Sequence, residues 1–119
     1  MKFAMLLSGN EAEFNRTTQP ELDTRLKEIF AWFEKWGPAG KIADNGIHLQ
    51  PTSTARTVRP GPDGGTVVTD GPYLELKEVI GGFVVLEADD MDDAVAVAST
   101  WPGLRGSASV EVRPLFDHS

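Results

Sequence analysis

The stretch Gly82-Phe83-Val84-Val85-Leu86 is apolar at odd and even positions alike. A strand with one solvent-exposed face alternates apolar and polar residues, so this run predicts a central strand that is covered on both faces. The N-terminal stretch Lys2-Phe3-Ala4-Met5-Leu6-Leu7 has the same character and ends at the turn residues 8–10. These two stretches predict the centre of the sheet.

Two helices are predicted beside these strands. Thr18-Gln19-Pro20-Glu21 has the spacing of a capping box with proline in the first turn, and Gly37-Pro38 ends the periodic segment that follows. The apolar residues of this first helix recur at helical intervals: Leu22, Leu26, Ile29, Phe30, Phe33 and Trp36.

The second predicted helix, Met91–Thr100, follows an acidic cluster within residues 87–93. Carboxylates at a helix start meet free backbone N–H groups and the positive end of the helix dipole. The alternative is a cation site, but no glycine stands where a calcium loop would turn. We therefore interpret the cluster as a helix start. Its members are Glu87, Asp89, Asp90, Asp92 and Asp93.

The remaining segments predict further strands and an α+β fold. We expect Glu11–Gln19 to be a loop. A strand, a helix, two or three strands, a strand, a helix and a strand make a ferredoxin-like sandwich, with an antiparallel sheet and both helices on one face. The prediction is one domain, residues 1–119, with an inserted β-hairpin. The additional strands are Ile47–Gln50, the hairpin strands Thr54–Arg59 and Thr66–Thr69, and Ser107–Arg113.

Two helices on one face leave the other face of the sheet without a cover. The central strands are apolar on both faces, and monomers rarely expose a contiguous apolar patch above a few hundred Å². A second copy packed sheet to sheet about a two-fold axis would cover it, which predicts a homodimer. The alternative is that segment 38–55 of the same chain folds over this face.

Composition excludes several classes of function. The chain has 119 residues, a net charge of −7 and no cysteine, so a disulfide framework, a thiolate nucleophile or an iron–sulfur cluster is excluded. The acidic balance argues against nucleic acid, and no apolar run is long enough for a signal peptide or a membrane span. We expect a soluble cytoplasmic domain without membrane association, cofactor or bound metal.

Three motifs, in register with one another, carry a resemblance to a known family. They are 49–59, Thr69-Asp70-Gly71-Pro72-Tyr73, and 75–83, which ends in Gly81-Gly82-Phe83. Together they resemble the DGPF branch of the YCII-related family, whose hallmark is Asp-Gly-Pro-Phe followed by Glu-Thr-Lys-Glu and Gly-Gly-Phe or Gly-Gly-Tyr. Tyr73 and Leu76 depart from that pattern. The resemblance covers nearly the whole chain and implies a ferredoxin-like fold assembled as a dimeric α/β barrel.

The resemblance implies little about activity. Most members of the family have no established reaction. Some YCII relatives use a histidine on the first helix, paired with an aspartate, in acid–base chemistry, but this chain has no histidine before His48. That function is therefore not carried over. DGPF members are often encoded near extracytoplasmic-function sigma factors, which implies an accessory role in regulation.

Asp70, Tyr73 and His48 are the candidate catalytic residues. Asp70 either builds a turn with Gly71 and Pro72, or uses that turn to aim its carboxylate and the Tyr73 hydroxyl into a cleft as base and acid. His48 is either a polar surface residue or a third acid–base group.

Lys77, Glu78 and Arg56 are the candidate ligand-binding residues. Lys77 and Glu78 either bridge each other on a solvated turn or stand at the mouth of a pocket, where Lys77 attracts an anion. Arg56 either clamps a carboxylate or protects a sheet edge. Gly81-Gly82 at the start of a central strand predicts a bulge or a close backbone approach, either to a neighbouring chain or to a ligand.

Three hypotheses of function follow from these residues. The first is a homodimer that binds a small anionic or aromatic molecule between the sheet and the first helix. The second is a cofactor-independent acid–base enzyme, of isomerase or lyase type, acting on a small oxygenated compound. The third is an interaction module that serves a regulator through its acidic surface.

Overall fold

The computed structural model describes residues 1–72 and 78–118 of the chain. Its order of helices and strands follows the prediction, with one additional short helix near the N-terminus. The elements are β1 (Lys2–Asn10), α1 (Glu11–Asn15), α2 (Gln19–Trp36), β2 (Ile42–His48), β3 (Arg56–Pro60), β4 (Thr66–Asp70), β5 (Glu78–Glu87), α3 (Met91–Ala98) and β6 (Ser109–Pro114).

The main sheet has four antiparallel strands in the order β2-β5-β1-β6. Each of its two β–α–β units places a helix between strands that are not neighbours in the sheet, which is the ferredoxin-like arrangement. Strands β3 and β4 pair with each other as a separate two-stranded sheet. The predicted α+β class and the inserted hairpin are therefore confirmed.

The two central strands are apolar on both faces, as expected. Phe3 lies opposite Leu86 and Met5 lies opposite Val84 in the β1–β5 register, and all four are buried in the core. We call the other side of the sheet the outer face. Its central residues are only partly buried: Ala4, Leu6, Phe83 and Val85.

The alternative prediction, that segment 38–55 of the same chain covers the outer face, does not hold along the whole length of the segment. Its residues Ile42–His48 form β2, an edge strand that lies in the plane of the sheet and pairs with β5. Farther along, Thr52 is held by Glu11 of α1. The outer face thus stays partly open in the single chain.

The predicted apolar stripe of α2 differs from the face that is buried. Leu26 and Phe30 belong to the stripe but are 52% and 60% exposed, whereas Trp32, off the stripe, is the buried residue of the helix. Trp32 packs edge-on against Trp101, with ring centroids 5.0 Å apart. The other stripe residues, Leu22, Ile29, Phe33 and Trp36, are partly buried. Aromatic packing has therefore rotated the packed face of the helix toward Trp32 and away from Leu26 and Phe30.

Two boundaries differ from the prediction for local reasons. Residues 11–15 form α1 instead of a loop, because the side chain of Asn10 accepts a hydrogen bond from the backbone N–H of Glu13 and caps the turn. Strand β2 begins at Ile42, ahead of the expected Ile47, since its polar residues occupy an edge strand.

The helix-start interpretation of the acidic cluster is confirmed. The Asp90 side chain accepts a hydrogen bond from the backbone N–H of Asp93 and caps α3. The Asp93 carboxylate in turn accepts from Lys41 at 2.7 Å and from the backbone N–H of Asp89. The Lys41 hydrogen bond lowers the pKa of Asp93 most, and the same contact raises the pKa of Lys41. Lys41 thus joins the start of β2 to the start of α3.

Gly81 and Gly82 meet two different backbone requirements. Leu7 pairs with Gly82 but the next residue, Ser8, pairs with Ile80, so Gly81 is the extra residue of a β-bulge. A Cβ at Gly82 would lie 2.4 Å from the carbonyl oxygen of Ile47 in β2, whereas one at Gly81 would meet no atom within 4 Å. The predicted bulge is present, whereas the close backbone approach, which we expected to a neighbouring chain or a ligand, is to β2 of the same chain.

Exchange of each glycine for alanine separates these two roles. We expect Gly82→Ala to lower the free energy of unfolding by about 1–3 kcal/mol, because the added methyl group forces β2 away from β5. Gly81→Ala is the matched control and should change stability by less than about 1 kcal/mol. Urea denaturation of both variants measures the difference. Equal losses of stability would contradict the close approach at Gly82.

Candidate functional site

An open cleft of about 720 Å³ lies between α2 and one end of the four-stranded sheet. The sequence predicted a pocket between the sheet and this helix. Its apolar wall comes from successive turns of α2, with further side chains from β1 and from the segment after α3. These residues are Leu26, Ile29, Phe33, Leu7 and Trp101.

The cleft exists because α2 is anchored near its C-terminal end. The indole N–H groups of Trp32 and Trp36 both donate to the Thr100 hydroxyl oxygen, at 2.9 and 3.0 Å. Leu26, two turns before Phe33 on the same helix, stays half exposed along the cleft. Apolar surface of this kind is typical of ligand sites.

His48 lines the cleft at the end of β2. It pairs with Gly82, and since Gly82 shares its side of the sheet with Val84, the imidazole belongs to the face that carries the helices. The backbone N–H of the next residue, Leu49, donates to the carbonyl oxygen of Gly81 at 2.7 Å. The bulge therefore holds the backbone beside His48, while the imidazole itself is exposed.

Glu11 places a carboxylate in the cleft lining and also fixes the cleft rim. Its two oxygens accept from the backbone N–H and the hydroxyl of Thr52, each at 2.8 Å. Glu13, on the same short helix, accepts from the hydroxyl and backbone N–H of Ser107. These hydrogen bonds lower the pKa of Glu13. Helix α1 is thereby tied to two separate loops.

The structure separates two of the other predicted site residues, Asp70 and Arg56, from this cleft. Asp70 and Arg56 lie opposite each other on the β3–β4 hairpin, with Arg56 Nε 3.5 Å from Asp70 Oδ1. Their side chains are 95% and 75% exposed. Glu78 is the exposed first residue of β5. Tyr73 and Lys77 lie outside the described residues, and the roles of all these residues remain predictions.

The described residues have no group of three or more His, Asp or Glu side chains placed to hold a metal ion. In the same part of the chain, no helix is long and apolar enough to cross a membrane.

Sequence reasoning missed Glu11 and the cleft wall on α2. Asn10 before two glutamates was a usable sign of a capped helix at that position. The exposure of Leu26 had no comparable local signal, because it depends on how Trp32 and Trp101 rotate the helix.

The fold and the cleft define a ferredoxin-like α+β protein with an open apolar site between its sheet and its long helix. The family model of the YCII-related domain matches residues 1–118, so the chain belongs to the YCII-related family. A relative from Rhizobium meliloti (strain 1021), named as an uncharacterized protein, is 32% identical over 116 residues. The match spans 97% of this chain and 92% of the relative.

Removal of the Glu11 carboxylate should loosen the cleft rim at Thr52. We expect Glu11→Ala to speed hydrogen exchange of the Thr52 amide by at least about tenfold, because its charged acceptor is lost. Glu13→Ala is the control, since Glu13 bonds to Ser107 on a different loop. NMR-detected exchange at pH 7 measures both. An unchanged rate of hydrogen exchange of the Thr52 amide in Glu11→Ala would show that the hydrogen bonds between Glu11 and Thr52 do not hold the rim.

Proposed function

We propose that this protein is a homodimer that binds a small, largely apolar or aromatic molecule in the cleft of each subunit. The observation that carries the proposal is the cleft itself. Its volume of about 720 Å³ falls within the range of roughly 300–1,000 Å³ that is usual for small-molecule sites. Apolar side chains form its wall, and His48 and Glu11 provide polar groups to orient a ligand.

Charge favours an aromatic or uncharged ligand over an anion. Glu11, a partly buried carboxylate residue, is among the residues that line the cleft, and a carboxylate repels an anion. The prediction of an anionic ligand used Arg56, which lies on the hairpin beside Asp70, and Lys77, which is outside the described residues. Of the two ligand classes expected from the sequence, we therefore propose the aromatic one.

A cofactor-independent acid–base enzyme is the second candidate function. His48 supports this second function, because an imidazole can both donate and accept a proton and His48 lines the cleft. In such an enzyme, His48→Gln would abolish turnover while leaving ligand affinity within about threefold.

The cytoplasmic location of the protein stays a prediction.

The homodimer is supported by the size of the surface that one chain exposes. The Cα radius of gyration is 16.6 Å, whereas a compact chain of this length has about 13.5 Å. The accessible surface is 8433 Å², and a folded monomer of this mass exposes about 6,300 Å². The excess is larger than the ~800 Å² that each partner buries in a standard interface.

Ring-containing probes of different charge test the proposed ligand site. We expect 4-methylphenol and benzyl alcohol to raise Tm in a dose-dependent way and benzoate to raise it less. At ten times Kd the stabilisation is about 1.4 kcal/mol, or about 5 °C for a chain of this size. Thermal unfolding of the whole chain measures the shifts. If no ring probe raises Tm at any concentration, the proposed function fails.

Two exposed residues of α2 provide a matched pair of variants for the same experiment. Leu26 lines the cleft, and Phe30 lies one turn later and outside the lining. Leu26→Lys should remove most of the Tm shift because it puts an ammonium group into the apolar wall. Phe30→Lys should keep it. A full shift in Leu26→Lys would place binding elsewhere.

Sedimentation equilibrium at micromolar concentration tests the homodimer. We expect one species with twice the 12.9 kDa mass of the chain, since the outer face and the hairpin need a cover. A species of 12.9 kDa over the whole concentration range contradicts the dimer.

A further inference from the structure

The β3–β4 hairpin, residues 56–70, is an arm whose two strands pair with each other and stand apart from the four-stranded sheet. Every residue of β4 is exposed, and four of the five residues of β3 are exposed. A two-stranded hairpin alone in water is marginally stable at best. The arm is nevertheless well formed, with five consecutive residue pairs.

The two faces of the arm differ in chemistry. Val58 lies directly opposite Val68, and the two side chains are 62% and 56% exposed. Because side chains alternate along a strand, the Arg56–Asp70 pair shares this face. We call it the valine face: an exposed apolar pair with an ion pair at one end. The opposite face consists of Thr57, Arg59, Val67 and Thr69.

An apolar centre with a charged rim has the composition of a protein interface. Exposed cross-strand valines on a free hairpin would also be an aggregation hazard if nothing covered them. The molecule measures 51 × 44 × 19 Å, and that flat shape contributes to the excess surface of the chain. The accessible surface in excess of a usual monomer is large enough for an interface with a second copy of the chain.

We propose that the valine face of the arm docks on the second subunit of the homodimer. The inference rests on the proposed homodimer and adds the element that reaches across it. It assigns Val58 and Val68 to the interface and Arg56 and Asp70 to its rim. These two charged residues then act in assembly, where they contact the partner subunit, and not in the cleft of their own chain.

Adjacent residues on β4 give matched variants, because Val67 and Val68 point to opposite faces of the arm. We expect Val68→Arg to raise the dimer dissociation constant by at least about tenfold, since it places a charge in the apolar centre of the contact. Val67→Arg should leave the constant within about threefold of the wild-type value. Analytical ultracentrifugation of full-length chains measures all three constants, with circular dichroism to confirm that each variant is folded.

The outcomes separate the arm contact from the dimer itself. A monomeric wild type overturns the homodimer and the arm contact together. A dimeric wild type with an unchanged constant in Val68→Arg overturns the arm contact and leaves the homodimer standing. If Val67→Arg weakens the dimer as much as Val68→Arg, the assignment of the valine face is wrong.

A mixed dimer locates the arm directly and does not require a disruptive variant. The chain has no cysteine, so Asp63→Cys in the arm turn takes a single nitroxide label. We mix this labelled chain with nitrogen-15-labelled wild type, and expect line broadening of amide signals in the wild-type subunit. The broadening should disappear when the label-bearing chain also carries Val68→Arg. An unbroadened spectrum of the wild-type dimer overturns the proposal.

Discussion

The hydroxyl of Thr100 determines where this protein has a cleft. It accepts the indole N–H groups of Trp32 and Trp36 and donates to the carbonyl oxygen of Val97, so its hydrogen-bonding capacity is used. Indole N–H groups are costly to bury without an acceptor. This one side chain, at the end of α3, therefore fixes the rotation and tilt of α2. The cleft is the space that remains between the sheet and the side of α2 that carries Leu26, Ile29 and Phe33.

The bulge in β5 shapes the opposite wall of that space. Gly81 adds a residue to the strand, and Gly82 lets the backbone of β2 come close enough to place His48 beside it. A ligand site needs walls that hold their geometry, since preorganisation limits the entropy lost on binding. Here the strand pairing provides one wall and the tryptophan–threonine contacts provide the other. At the rim, the hydrogen bonds between Glu11 and Thr52 join α1 to the segment after β2.

The exposed surface connects the two proposals. Ala4, Leu6, Phe83 and Val85 form an apolar outer face that is only partly buried, and the arm carries Val58 and Val68 into solvent. Hydrophobic surface of this extent is stable in water when another surface covers it. Each chain carries both the outer face and the arm. In a two-fold dimer, each subunit would therefore have two contact regions, its outer face and its arm. Membership of the YCII-related family agrees with the resemblance drawn from the residues around Asp70.

Local sequence signals predicted the strands and the two longer helices in their correct order, but not α1. Local signals were sufficient for Thr18 at the start of α2, Asp90 at the start of α3 and the glycine pair in β5, because capping, turn chemistry and bulges involve neighbouring residues. The apolar runs around Phe3 and Val84 were sufficient for the centre of the sheet. Together these signals defined the α+β fold and the location of a pocket between sheet and helix.

Which side chains meet in the cleft depends on long-range packing. Asp70 and Arg56 looked like site residues by type, but the hairpin carries them into solvent, whereas Glu11 and Leu26 line the cleft although no local pattern brings these two residues together. The contact between Trp32 and Thr100 joins residues 68 positions apart, and no local periodicity contains it. Side-chain chemistry is a property of single residues, but burial and proximity arise when distant segments pack. For that reason the composition of a site can be read from a chain only after its elements have been assembled.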